Sequence, residues 1–134
     1  MSFFPNHAVL KTLLLALLLA TFACDKNTFR QLPPQLNGTW TTDDPRYHDR
    51  FFELSPAFVI VVTGPGDQPS VQSVDKVKTD LSDSDTTFTV DSFDRSQKTA
   101  YQMVFRFSQA NGGEIRFRNQ KAVWRRRADT GESH

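Results

Sequence analysis

The stretch YQMVFRF, Tyr101 to Phe107, constrains the fold more than any other, because its chemistry alternates with a period of two. Successive side chains of an extended chain point to opposite faces. Tyr101, Met103, Phe105 and Phe107 therefore share one face, and Gln102, Val104 and Arg106 share the other. Ile115 and Phe117 repeat the pattern against Glu114, Arg116 and Arg118. Beyond residue 35 no segment carries a helical period. Short runs of β-branched and aromatic residues recur instead, at intervals of about ten residues between turn signals.

Eight strands are expected, at residues 37–42, 49–54, 58–63, 71–81, 86–93, 99–108, 114–118 and 121–126. Ser55-Pro56 and Gly64-Pro65-Gly66-Asp67 break two of the junctions. Asn111-Gly112 is the strongest hairpin signal, because both residues tolerate positive φ, and Asn119-Gln120 is a weaker two-residue candidate. Links this short join antiparallel neighbours, so the expected fold is an all-β meander. The run FVIVV, Phe58 to Val62, is apolar on both faces, so it is either covered twice or presents an apolar stripe outside. A twisted meander with one apolar face buries that face and removes its edges by closing on itself. A small barrel is the first expectation and a sandwich the second.

The segment LNGTW, Leu36 to Trp40, resembles the opening strand of lipocalins and their calycin relatives. In that family a Gly-X-Trp tryptophan plugs one barrel end and a late arginine packs across its ring. Gly38 and Trp40 match the first element, and VWRRR, Val123 to Arg127, offers Arg125 and Arg126 for the second. The resemblance implies a barrel over residues 36–127 whose inward residues, Tyr101, Met103, Phe105, Phe107, Ile115 and Phe117, line a pocket for a lipid or other small apolar molecule. Nine of the 12 phenylalanines follow residue 24, and they serve equally well to fill such a barrel. An eight-stranded barrel is just wide enough for either use. If it is filled, the alternative is an interaction protein that docks an envelope protein through its outer surface.

Ahead of the barrel stands LLLALLLATFACDKN, Leu13 to Asn27. Its apolar run of about a dozen residues is short for a bilayer span, which takes roughly 20. Lys11, the apolar run and then small residues follow the order of a secretory signal. Ala23 precedes Cys24, the chain's single cysteine, and Asp25, Lys26 and Asn27 turn polar at once. This resembles the lipobox of bacterial lipoproteins. The resemblance implies removal of residues 1–23, diacylation of Cys24 and a domain held outside the cytoplasm on a membrane of the cell envelope, in a leaflet left open. Residues 24–35, with Pro33-Pro34, read as a lipidated flexible tether, and residues 128–134 as a disordered tail.

About 110 residues follow the signal, enough for one domain. Without Lys11, 15 basic side chains balance 15 acidic ones, and no global attraction to nucleic acid follows. The charges are segregated, aspartates in the middle and arginines from Arg106 onward, as expected of the solvated outer faces of strands. Strand parity also sets most arginines opposite the phenylalanines, which argues against a base-stacking platform. His48 is the one histidine inside the domain, and no cysteine is left for nucleophilic chemistry once Cys24 is acylated. Asp43, Asp44, His48 and Asp49 read as a loop whose carboxylates satisfy turn backbone. There is no P-loop, dinucleotide turn or zinc-type cysteine pair. A binding role with no enzyme activity, no cofactor and no metal is the expectation.

Overall fold

A computed structural model describes residues 27–82 and 84–128. Nine strands are present among the described residues: β1 (Thr28–Phe29), β2 (Gly38–Thr42), β3 (Phe51–Leu54), β4 (Phe58–Val62), β5 (Ser70–Ser82), β6 (Asp85–Asp94), β7 (Thr99–Ser108), β8 (Glu114–Phe117) and β9 (Trp124–Arg126). Three short 3-10 turns complete the elements, and among the described residues no helix is long and apolar enough to cross a membrane.

Each strand from β2 to β9 pairs antiparallel with the next, and β9 returns to β2 through Trp40↔Arg126 and Thr42↔Trp124. This is a closed eight-stranded antiparallel barrel, consistent with a lipocalin-like barrel, with one extra strand outside the ring. The sandwich alternative is excluded by the continuous ladder. The eight strands expected from period-two patterning are the eight staves.

Two turns differ from expectation. Asn111 and Gly112 adopt positive φ (55° and 80°), but within a 3-10 turn that links Ser108 to Glu114 rather than in a tight two-residue loop. Asn119-Gln120 does not form a two-residue hairpin, because β8 ends at Phe117 and β9 begins only at Trp124. Between them Gln120 N–H donates to the Phe117 carbonyl (3.3 Å), and Ala122 turns inward and is buried.

The larger difference lies before the barrel. The segment expected to hang free as a tether is bound to the fold from Asn27 onward. β4 pairs with β5 only as far as Ser73, so the remaining length of that β5 edge is open. β1 occupies it, with Thr28 opposite Lys78, Phe29 opposite Val77, and Thr79 N–H donating to the Asn27 carbonyl (3.0 Å). Covering an open edge removes unpaired backbone groups. The chain then crosses the end of the barrel, where Leu32 and Leu36 are fully buried and Leu32 N–H donates to the Pro56 carbonyl (2.9 Å). Pro33 and Pro34 hold that crossing in an extended entry followed by one 3-10 turn, Pro34–Leu36. Cys24, the leucine run and the tail from residue 129 lie outside the described residues.

The interior is a connected set of rings. Trp40 stacks on Phe52 (6.4 Å between centroids) and meets Phe107 edge-on (6.2 Å). Phe52 contacts Trp124 (5.1 Å) and Phe117 (5.7 Å), while Phe88 stacks on Phe105 (5.5 Å). Offset and edge-on pairs of this kind contribute about 0.5–1.5 kcal/mol each beyond their buried area. With Leu54, Val59, Val77, Val90 and Ile115 between them, these rings fill the barrel.

Candidate functional site

The two ends of the barrel are built differently. At the closed end Trp40 and Arg126 are direct cross-strand partners, so both side chains point inward at the last rung of the ladder. The Arg126 guanidinium lies over the indole ring at 4.8 Å. Nε donates to the Asn37 carbonyl (3.0 Å), Nη1 to the Gly112 carbonyl (2.9 Å) and Nη2 to the Gln35 carbonyl. One side chain thus ties the entry segment, β9 and the β7–β8 turn together. Trp40 Nε1 donates to the Leu36 carbonyl (3.0 Å), so the indole has a partner for its one donor. Gly38 makes room for the arginine stem. Its φ is 138°, and a Cβ there would stand 3.0 Å from Arg126 Cγ.

Of the two arginines offered by VWRRR, only Arg126 closes the barrel. Arg125 is one residue away, hence on the outer face, where it meets Glu114 (3.5 Å) and Asp43 (4.0 Å). Glu114 is buried and accepts from Asn111 Nδ2 (2.9 Å) and from Arg116 (3.3 Å). The Asn111 hydrogen bond, followed by that of Arg116, holds its carboxyl below the usual carboxylate range.

The six residues expected to line a pocket divide between the core and the opposite end. Phe105, Phe107 and Ile115 are buried in the core and are not available to a ligand. Tyr101, Met103 and Phe117 come together at the mouth, in an open cleft of about 560 Å³. Val61, Gln72 and Gln120 line it with them. Met103 is partly buried against the core, and Tyr101 is 37% exposed with its hydroxyl donating to Gln97 Oε1 (3.0 Å). Gln120 accepts from Trp124 Nε1 (3.2 Å), which pins the β8–β9 link to the barrel wall.

A polar wall stands beside this cleft that the sequence reading did not single out. Ser92 Oγ donates to Gln72 Oε1 (2.8 Å), Gln72 Nε2 donates to Ser70 Oγ (3.0 Å), and Ser70 Oγ donates to Asp94 Oδ2 (2.7 Å). Asp94 Oδ1 accepts from Ser96 N–H (2.9 Å), Ser96 Oγ (2.7 Å) and Gln97 N–H (3.1 Å). Gln72, Ser92 and Asp94 are buried. Buried polar groups with all partners present rigidify the backbone that carries them. The hydrogen bonds from Ser70 and Ser96 keep the Asp94 carboxyl below its ordinary pKa. The signal was present in β6, whose inward positions run Phe88, Val90, Ser92, Asp94, apolar toward the core and polar toward the mouth.

Outside the barrel, β4 presents the stripe that its two-faced apolar character allows. Val59 and Val61 face the core, while Phe58, Ile60 and Val62 face out, next to Phe51 of β3 and Val71 of β5. Phe58 and Val71 are each nearly half exposed. On the other side of the barrel, Arg106 and Arg116 are direct cross-strand partners, and Arg116 reaches Glu114 (3.3 Å). Of the loop aspartates, Asp44 serves the backbone, accepting from Arg46 N–H (3.0 Å) at the start of the 3-10 turn Pro45–Tyr47, and the same arginine's side chain holds its pKa down, whereas Asp49 meets His48 Nε2 (3.0 Å).

The fold is therefore a closed antiparallel barrel plugged at one end and clefted at the other. Comparison with protein-family models, with curated proteins and with solved structures returned no match.

Proposed function

We propose that this chain is a lipid-anchored envelope protein with a lipocalin-like barrel, and that it binds a small, partly apolar molecule across the barrel mouth. The observation that carries the binding reading is the meeting of Tyr101, Met103 and Phe117 with the amides of Gln72 and Gln120 in one cleft. Its volume of about 560 Å³ falls within the roughly 300–1,000 Å³ usual for ligand sites. Rings and a thioether give contact area, and the Gln120 side-chain amide, whose oxygen accepts from Trp124, offers its N–H₂ to a polar head. Because the aromatic cluster fills the space below, the ligand lies at the mouth and does not thread the barrel.

The lipocalin-like reading is supported by the Arg126–Trp40 stack at the plugged end, which is the arrangement that the Gly38-X-Trp40 resemblance implies. The anchor reading rests on Ala23-Cys24 and on the polar turn that follows.

Met103→Trp tests the site. Filling the cleft with an indole should abolish saturable binding of a fluorescent fatty acid by the purified protein while leaving a cooperative unfolding transition. Undiminished binding by the variant would move the site elsewhere. A second reading, docking of an envelope protein, is favoured by the Phe51, Phe58, Ile60, Val62 and Val71 stripe, since a contiguous exposed apolar patch marks an interaction surface. In that case Ile60→Lys removes a partner captured by crosslinking in the intact envelope, and Met103→Trp does not.

A further inference from the structure

The point at which the chain joins the barrel fixes where a membrane must lie. Asn27 is held on β5 by Thr79 N–H, and Thr28 and Phe29 are in register with Lys78 and Val77. Three Cα–Cα steps lead from Cys24 to Asn27, a reach of at most about 10–11 Å at 3.3–3.6 Å per residue. An acyl chain on Cys24 has no long tether to stand on.

Two exposed apolar side chains flank that point. Leu81 is 75% exposed and lies two residues beyond Thr79, about 7 Å along β5. Phe29 is 50% exposed and lies two residues beyond Asn27 on the other side. Both have the parity of inward-facing Val77, so they share one face of the β1–β5 pair. Lys78 and Asp80 alternate with them on the opposite face and Asp83 and Asp85 follow in sequence, so the local charge is acidic and does not select an anionic surface.

We infer that the barrel sits directly on the bilayer that holds the Cys24 acyl chains, with Leu81 seated at the headgroup–acyl boundary and Phe29, level with Val77, farther out along β5. The inference rests on the anchor reading above. It adds an orientation: the β5–β6 hairpin meets the lipid, and the turn between β6 and β7 points away from it. Leu81 has no role in the barrel core, whereas burial at an interface would remove it from water.

The test uses the full lipidated protein reconstituted into phosphatidylcholine vesicles. Cys24 is the chain's single cysteine. Once it is acylated, Leu81→Cys or, at the far end of β6, Arg95→Cys supplies one thiol for an environment-sensitive fluorophore. Both positions are exposed, so neither change disturbs the core. The label at 81 should be quenched by brominated lipid and be several-fold less accessible to iodide than the label at 95. Equal access of iodide to both labels on vesicle-bound protein would overturn the seated orientation and leave the anchor standing. Protein that fails to bind vesicles, with a free thiol at Cys24, would overturn the anchor and the orientation together.

Discussion

Gly38 and Arg126 depend on each other. The glycine's φ of 138° and its 3.0 Å approach to the arginine stem leave no place for a side chain. Gly38→Ala should therefore cost about 1–3 kcal/mol of urea stability through backbone strain alone. Trp40→Ala removes the ring that Arg126 covers and should cost about 3–5 kcal/mol, as for a large aromatic deleted from a core. A loss under about 1 kcal/mol at Trp40 would contradict the plugged end. At the mouth, Asp94 has a carboxyl pKa lowered by the Ser70 and Ser96 hydrogen bonds. A lowered folded-state pKa contributes stability that is present above the ordinary value of about 3.9 and is lost as pH falls through the folded value. The parent should lose stability more steeply than Asp94→Asn on acidification below about pH 4. Parallel acid limbs would show that Asp94 is not held charged by the fold.

Single strands were legible in the sequence to the extent that their two faces differ. β7 alternates over its inward residues Met103, Phe105 and Phe107, and its register on β6 and β8 follows from burying that face. β9 was read three residues too long, because Lys121 to Val123 have strand-like composition but Ala122 is buried in a link, not in a ladder. β1 was not legible at all. Two residues carry no period, and its place is set by the open β5 edge, a consequence of how far β4 reaches. The same docking explains why Leu32 is buried in a stretch that reads as polar tether. Leu32→Ala should cost about 2–5 kcal/mol, the usual range for a core leucine. A free tether would make that substitution neutral in urea unfolding of the purified protein.

At the scale of the whole molecule, closure and filling were legible to different degrees. Closure follows from eight short strands with one apolar face and no room for open edges. Filling does not, because a ring at an inward position can line a cavity or occupy it, and only the spacing of opposing walls decides. Here Phe88, Phe105 and Phe107 approach across β6 and β7 while Trp40, Phe52 and Trp124 approach from β2, β3 and β9, and the two groups meet. The division of the candidate pocket residues, three to the core and three to the mouth, is the result of that meeting.

The filled interior is the central claim, and overpacking tests it directly. Phe105 is buried among rings, whereas Met103, two residues away on the same face, borders the cleft. In urea unfolding of the purified protein, Phe105→Trp should cost about 1–3 kcal/mol, the usual penalty for added volume in a packed core, and Met103→Trp should cost clearly less. A Phe105→Trp variant as stable as the parent would mean that the barrel has unfilled space at its centre, and would contradict the account.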